Sequence, residues 1–178
     1  MTPESVTRDA VRELFLTYRR TAFRLETREA YNEPYTPRAL AQFLAGEPVD
    51  VSFLDTWTTQ RRADLAAGKQ MSRVRVVTEP LNDYARYSLH VSRVNVEAGE
   101  DIRYLARDRA ELLSLPDEDY WLFDSELAAV FSFGDDGKID DILIVDDPAG
   151  IAERCRWRDV AWANAVRREE YAAVHGVT

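Results

Sequence analysis

Alternating and helical runs of apolar residues divide the chain into recognisable elements. Val11, Leu14, Phe15 and Tyr18 keep the i, i+3, i+4, i+7 spacing of one buried helix face. Pro3 suits a first helical position, so a helix is predicted over 3–20. Residues 21–27 alternate instead, with Phe23 and Leu25 on one side and Arg24 and Glu26 on the other, as a short strand does. Thr36-Pro37 opens a second helix that Gly46 is placed to end. A third runs from about Ser52 to Ala67, carrying Leu54, Trp57 and Leu65, with Gly68 beyond its end.

The middle of the chain reads as a βαβ unit. Residues 73–77 form a strand, and Pro80 opens a helix with Leu81, Tyr84, Tyr87, Val91 and Val94 inward. Gly99 closes that helix, and 101–105 is the next strand. Residues 119–124, 127–133 and 139–145 follow at short spacing, with Gly134-Asp135-Asp136-Gly137 as a turn between the last two. Such short links permit only an antiparallel meander. Asp147 and Pro148 are a helix cap and first turn, and Ile151, Cys155, Arg158 and Trp162 mark one stripe of a C-terminal helix. The predicted fold is α/β (α+β): a single domain over 1–178, with a mixed sheet, one βαβ crossover, an antiparallel meander and flanking N- and C-terminal helices.

The length of 178 residues is consistent with one domain, and 46% hydrophobic residues with 11% aromatics suit a globular core. Cys155 is the sole cysteine, which excludes an intrachain disulfide and a cysteine-based zinc site. His90 and His175 are the only histidines, which leaves little room for His-dependent catalysis, so no metal and no cofactor is expected. Residues 1–5 lack the basic and apolar regions of a signal peptide. The longest apolar run, Leu127 to Phe131, is far below the about 20 residues of a membrane helix, so a cytoplasmic protein without a membrane partner is expected.

The net charge of −9 argues against direct nucleic-acid binding by the whole surface. It is unevenly spread. Residues 97–147 hold 16 acidic and 4 basic side chains, while the remainder has a slight basic excess. An acidic stretch of this kind steers basic partners, and it also shields sheet edges from unwanted pairing.

Six ordered blocks resemble one family. They are 22–27 (Ala-Phe-Arg-Leu-Glu-Thr), 74–84 from Val74 to Tyr84, 99–103 from Gly99 to Arg103, 120–124 (Tyr-Trp-Leu-Phe-Asp), 145–148 (Val-Asp-Asp-Pro) and 157–162 from Trp157 to Trp162. The likeness covers roughly residues 15–171 and is to an actinobacterial domain of unknown function whose members lie near helix-turn-helix regulators. That family supplies no established activity or catalytic residues; it implies a regulatory role. The order of elements also resembles half of a phospholipase D-type domain, a fold that serves on transcription regulators as a non-catalytic sensor. The superfamily's His-x-Lys-x4-Asp motif is missing, since neither His90-Val91-Ser92 nor His175-Gly176-Val177 begins it. Fold likeness without the motif carries no phosphodiesterase chemistry.

Arg73, Arg75 and Arg103 form the most suggestive constellation, because side chains at i and i+2 share a strand face and the two strands are expected to be neighbours. They suit a small anion near a helix N-terminus, or else structural pairing with Glu26, Glu79 or Asp83. Arg24 and Glu26 are secondary ligand-binding candidates, with a buried structural pair as the competing reading. An alternative acidic cluster, Glu79, Asp83 and Asp124, is what a metal-assisted hydrolase or nuclease-like effector would use, although turns and caps are the ordinary use of such acids. Trp121, Trp157, Trp162, Tyr84, Tyr87 and Tyr104 are read as core, and Cys155 as a small buried hydrophobe. The expected function is a non-enzymatic regulatory domain acting with a helix-turn-helix regulator, sensing a small anion, with homodimerisation open.

Overall fold

The computed structural model describes residues 4–177; Pro3, the predicted helix start, lies outside them. The described helix begins later than predicted. Residues Glu4–Ser5 form a short strand, β1, and α1 spans Arg8–Thr17. The Thr7 hydroxyl accepts the Ala10 N–H and sets the start, while the extended backbone at Tyr18 ends the helix.

Strand β2 (Thr21–Glu26) is followed by α2 (Thr36–Leu44) and by α3 (Asp55–Ala66), which a single 3₁₀ turn at Ser52–Leu54 introduces. Next come β3 (Gln70–Val77), α4 (Asp83–Glu97), β4 (Glu100–Ala106) and a short α5 (Arg107–Leu112). The meander is β5 (Asp119–Phe123), β6 (Leu127–Phe133) and β7 (Ile139–Val145). The chain closes with α6 (Pro148–Asn164), β8 (Val166–Arg167) and α7 (Arg168–His175). Pro80 does not open α4. Asn82 does, its side-chain oxygen accepting the Ala85 N–H at 2.8 Å.

All strands join one sheet in the order β1-β7-β6-β5-β2-β3-β4-β8. The meander pairs antiparallel as predicted, and β3–β4 is the predicted parallel pair. A second parallel pair, β2–β3, adds a crossover beyond the one expected, and the helical link over 27–69 is long enough to make it. Among the described residues the outermost strands are two residues each and cover only part of β7 and of β4.

The two sheet faces bury different cores. On one face Phe23, Leu25, Val74, Leu105, Tyr120 and Leu122 pack with Ala110 of α5 and with Ile151 and Ala161 of α6. On the other, Ala22, Met71, Trp121 and Phe123 meet Val11 of α1, while Ile102 and Tyr104 meet Leu89 of α4 and Tyr171 of α7. The predicted single C-terminal helix breaks at Ala165. Arg103 and Tyr104 of β4 pair with Arg167 and Val166, and the Arg168 guanidinium donates twice to the Leu89 carbonyl at 3.2 and 2.9 Å. Nothing local marks that break; it exists because β4 offers an unpaired edge.

Candidate functional site

Register places the charged strand residues. Arg24 lies opposite Arg73, and Glu26 opposite Arg75, so all four project from the face covered by α1, α3 and α4. Arg103 lies opposite Val74 and therefore projects from the other face. There it stacks 3.7 Å from the Trp162 ring and pairs with Asp101 at 3.4 Å. The structure thus separates Arg103 from Arg73 and Arg75 and joins Arg24 and Glu26 to them.

Glu26 is the hub of this layer. Its carboxylate lies 3.7 Å from Arg24, 3.2 Å from Arg73 and 2.5 Å from Arg75. Burial alone would raise the Glu26 pKa, but Arg75, Arg73 and Arg24 together outweigh it and hold the carboxyl at about 2. Glu100 meets Arg73 at 3.0 Å and accepts the Trp57 indole N–H at 2.5 Å. Asp119 meets Arg24 at 2.9 Å, and accepts the Tyr31 hydroxyl at 2.7 Å and both the backbone N–H and the hydroxyl of Thr27 at 2.8 Å. Three guanidiniums thereby face three carboxylates. Burial opposes the charge on Arg75 and Arg73, yet Glu26 and Glu100 keep both pKa values above the ordinary arginine value.

The N–H donors outnumber what the carboxylates accept. Each guanidinium carries five N–H groups, and Arg73 Nε and Arg24 Nη1 are buried without a hydrogen-bond partner. Arg24 lies over the Phe131 ring at 4.7 Å, and Arg73 faces the Trp121 ring at 5.8 Å.

Above Arg73 and Arg75 opens a cavity of about 450 Å³, within the ~300–1,000 Å³ usual for small-molecule sites. Its walls come from Val11 and Phe15 of α1, Phe53, Leu54 and Trp57 around the start of α3, and Tyr84, Tyr87, Ser88 and Val91 of α4, with Trp121 and Tyr104 from the sheet. Arg8, Arg12 and Glu33 also line it. Burial raises the pKa of Tyr87 to about 12 and that of Tyr84 above its ordinary value, so both phenols stay protonated donors. Tyr84, Tyr87, Tyr104 and Trp121, assigned to the core from spacing alone, therefore also form a cavity wall. Phe15, Phe53 and Trp57 were not singled out as site residues. The signal available for them was the density of aromatics across three separate helices.

A second, more open groove of about 1220 Å³ lies at the far end of β2, between Thr27, Tyr31, Leu40, Phe133 and Arg107. It shares Thr36, Tyr84 and Phe131 with the first.

The acidic candidates do not meet. Asp124 accepts the backbone N–H groups of Arg19, Arg20 and Thr21 at 2.7–2.9 Å, at the start of β2. Burial would raise its pKa, and those three N–H groups lower it. Glu79 lies beyond the opposite end of β3, accepting from Tyr171 and 3.4 Å from His175. Asp83 is exposed in the first turn of α4. The eight residues of β3 alone span roughly 25 Å at ~3.3 Å each, so Asp124 and Glu79 do not converge. Neither Glu79 nor Asp83 pairs with Arg73 or Arg75; Glu26, Glu100 and Ser88 do. Among the described residues no group of three or more His, Cys, Asp or Glu is placed to hold a metal ion.

Comparison with known proteins places this architecture. The model of a domain of unknown function, DUF6879, matches residues 9–173. The chain belongs to that family. No curated protein matches the chain. Among solved structures, the DUF6879 chain is similar to Nuc from Salmonella typhimurium, a phospholipase D family member, with 13% identity, a TM-score of 0.54 and 93% of each chain covered. At that identity the likeness is one of fold. No described helix is long and apolar enough to cross a membrane.

Proposed function

We propose that this DUF6879 chain is a non-enzymatic regulatory domain that binds a small organic ligand in the cavity above Arg73 and Arg75 and acts with a helix-turn-helix transcription regulator. The observation that carries this reading is the cavity itself. It is roofed by four helical segments, its polar floor is engaged in mutual ion pairs, and its walls are aromatic. Such a floor is held in place by its own ion pairs and leaves binding energy to the walls. The roof helices reach the surface, so a ligand beneath them changes their packing, and this is the kind of change a partner reads. The acidic excess of residues 97–147 supports a basic partner, such as the surface of a DNA-binding domain. Part of that acidity is internal, since Glu100 and Asp119 neutralise Arg73 and Arg24. Asp108, Glu111, Asp117, Asp135 and Asp140 remain exposed.

Affinity purification of the tagged chain from its native host tests the proposal, with bound proteins and small molecules both identified. The expected result is co-elution of a helix-turn-helix protein whose DNA binding changes when the chain is added. Separate elution, with DNA binding unchanged, overturns it.

A further inference from the structure

The distribution of charge around the cavity points to a ligand class, and this step rests on the cavity being a ligand site. We infer that the cavity takes a small amphipathic organic anion, its apolar body against the aromatic walls and its charged head at the rim beside Arg8 and Arg12.

Floor and rim hold cations of different kinds. Arg73 and Arg75 belong to the floor, and their hydrogen bonds go to Glu26, Glu100 and Ser88. Arg8 and Arg12 stand on α1 with side chains 52% and 79% exposed. Arg8 meets Glu33 at 3.9 Å, too long for a hydrogen bond. Arg12 pairs with Asp9 at 2.9 Å, and both side chains of that pair face water. Ion pairs between exposed groups contribute little, so both guanidiniums are open to a second anion. Among the described residues of the lining, Glu33 is the one carboxylate beside these four arginines. Glu26 and Glu100 compensate the floor from outside that lining, so the positive excess rests at the rim.

The same helix supplies the apolar wall. Arg8, Val11, Arg12 and Phe15 follow the i, i+3, i+4, i+7 spacing of one face of α1, and all four line the cavity. Val11 is buried, and the Phe15 ring stands edge-on to Trp57 and Trp121 with centroids 5.2 and 4.8 Å apart. A ligand lying along this face meets guanidiniums at one end and rings at the other. Its head keeps water on one side and avoids the cost of a buried charge. Its body leaves water for apolar neighbours.

The test is calorimetric titration of the full chain with four probes. They are hydrocinnamate, its neutral amide, the cationic phenylpropylamine, and acetate, which has the charged head without the apolar body. The Arg8→Gln, Arg12→Gln double variant removes the rim charge at exposed positions. Val91→Phe places a ring into the cavity from α4, and Leu54→Phe replaces it as the blocking variant if its melting temperature shows that it does not fold. The expected result is saturable hydrocinnamate binding, at least tenfold tighter than that of the other three probes and lost in the blocking variant. In the double variant the preference over the amide is expected to fall at least threefold. Amide or amine binding within tenfold of hydrocinnamate, also lost on blocking, overturns the anion while leaving the cavity as a ligand site. Acetate within tenfold overturns the apolar body, and a smaller fall in the double variant overturns the role of Arg8 and Arg12. Binding of no probe, or binding that survives blocking, overturns the cavity reading with it.

Discussion

Replacing Glu26 by Gln removes one negative charge from beneath Arg24, Arg73 and Arg75 while keeping the side-chain shape. In the parent all three guanidiniums share that carboxylate, at 3.7, 3.2 and 2.5 Å, and Glu26 is 6% exposed. The variant therefore leaves a buried positive charge uncompensated, and loss of one partner from a buried pair costs about 3–5 kcal/mol. That is a large fraction of the ~5–15 kcal/mol that holds a typical domain folded. The pH dependence gives an independent magnitude. Burial works against ionisation, but the three guanidiniums prevail and hold the carboxyl at about 2 in place of an ordinary 4.5. That difference corresponds to roughly 3 kcal/mol of stability at ~1.4 kcal/mol per pH unit. Because the folded value is the depressed one, the stabilisation is complete above the unfolded pKa of 4.5 and is lost as the pH falls from there toward 2. Urea denaturation of parent and Glu26→Gln at pH 7 and at steps down to pH 3 reads both effects. The expected outcome is a variant less stable by about 3–5 kcal/mol at pH 7, with a gap that narrows below pH 4.5 as the parent loses what the variant never had. A gap under about 1 kcal/mol at pH 7, the size of an exposed ion pair, or one independent of pH, would refute the reasoning.

Further outcomes follow from other residues. Asp119→Asn disturbs four contacts at once, to Arg24, Tyr31 and the N–H and hydroxyl of Thr27, and chemical denaturation is expected to show a loss of about 3 kcal/mol or more. Tyr120→Phe removes one buried hydrogen bond, 3.0 Å to the Arg154 carbonyl, so its cost is expected near 1–3 kcal/mol by chemical denaturation. Gly150→Ala places a Cβ 2.7 Å from both Asp147 Oδ2 and Val145 Cγ1, so the melting temperature is expected to fall despite alanine's higher helix propensity. Asp124→Ala frees the N–H groups of Arg19, Arg20 and Thr21. It is expected to lower stability by roughly 1–3 kcal/mol, read by urea denaturation.

What could be read along the chain was what local chemistry decides. The alternation of 21–27, the meander over 119–145 and the Asp147-Pro148 helix start all depend on neighbours in sequence, and each appears where expected. Register is a different kind of quantity. A slip of one residue exchanges the two faces of a strand, and only pairing across β3 and β4 reveals that Arg103 stands with Val74 instead of beside Arg73. The same limit hid Glu100 and Asp119, which lay in an acidic stretch that composition assigns to solvent but which meet Arg73 and Arg24 inside. The end of α6 at Ala165 has no glycine or proline to announce it, because its cause is the edge of β4. The cavity was the least legible feature, since a wall of Tyr87, Trp57 and Trp121 has the same spacing signature as a filled core.

The central claim, that the space above Arg73 and Arg75 holds a small molecule, is met most directly by native mass spectrometry of the chain purified from its own host. The account predicts an added small-molecule mass on the parent, released on denaturation, and its absence from a folded Val91→Phe variant, whose larger side chain occupies the cavity from α4. A parent with no added mass, or the same mass retained by Val91→Phe, would contradict it.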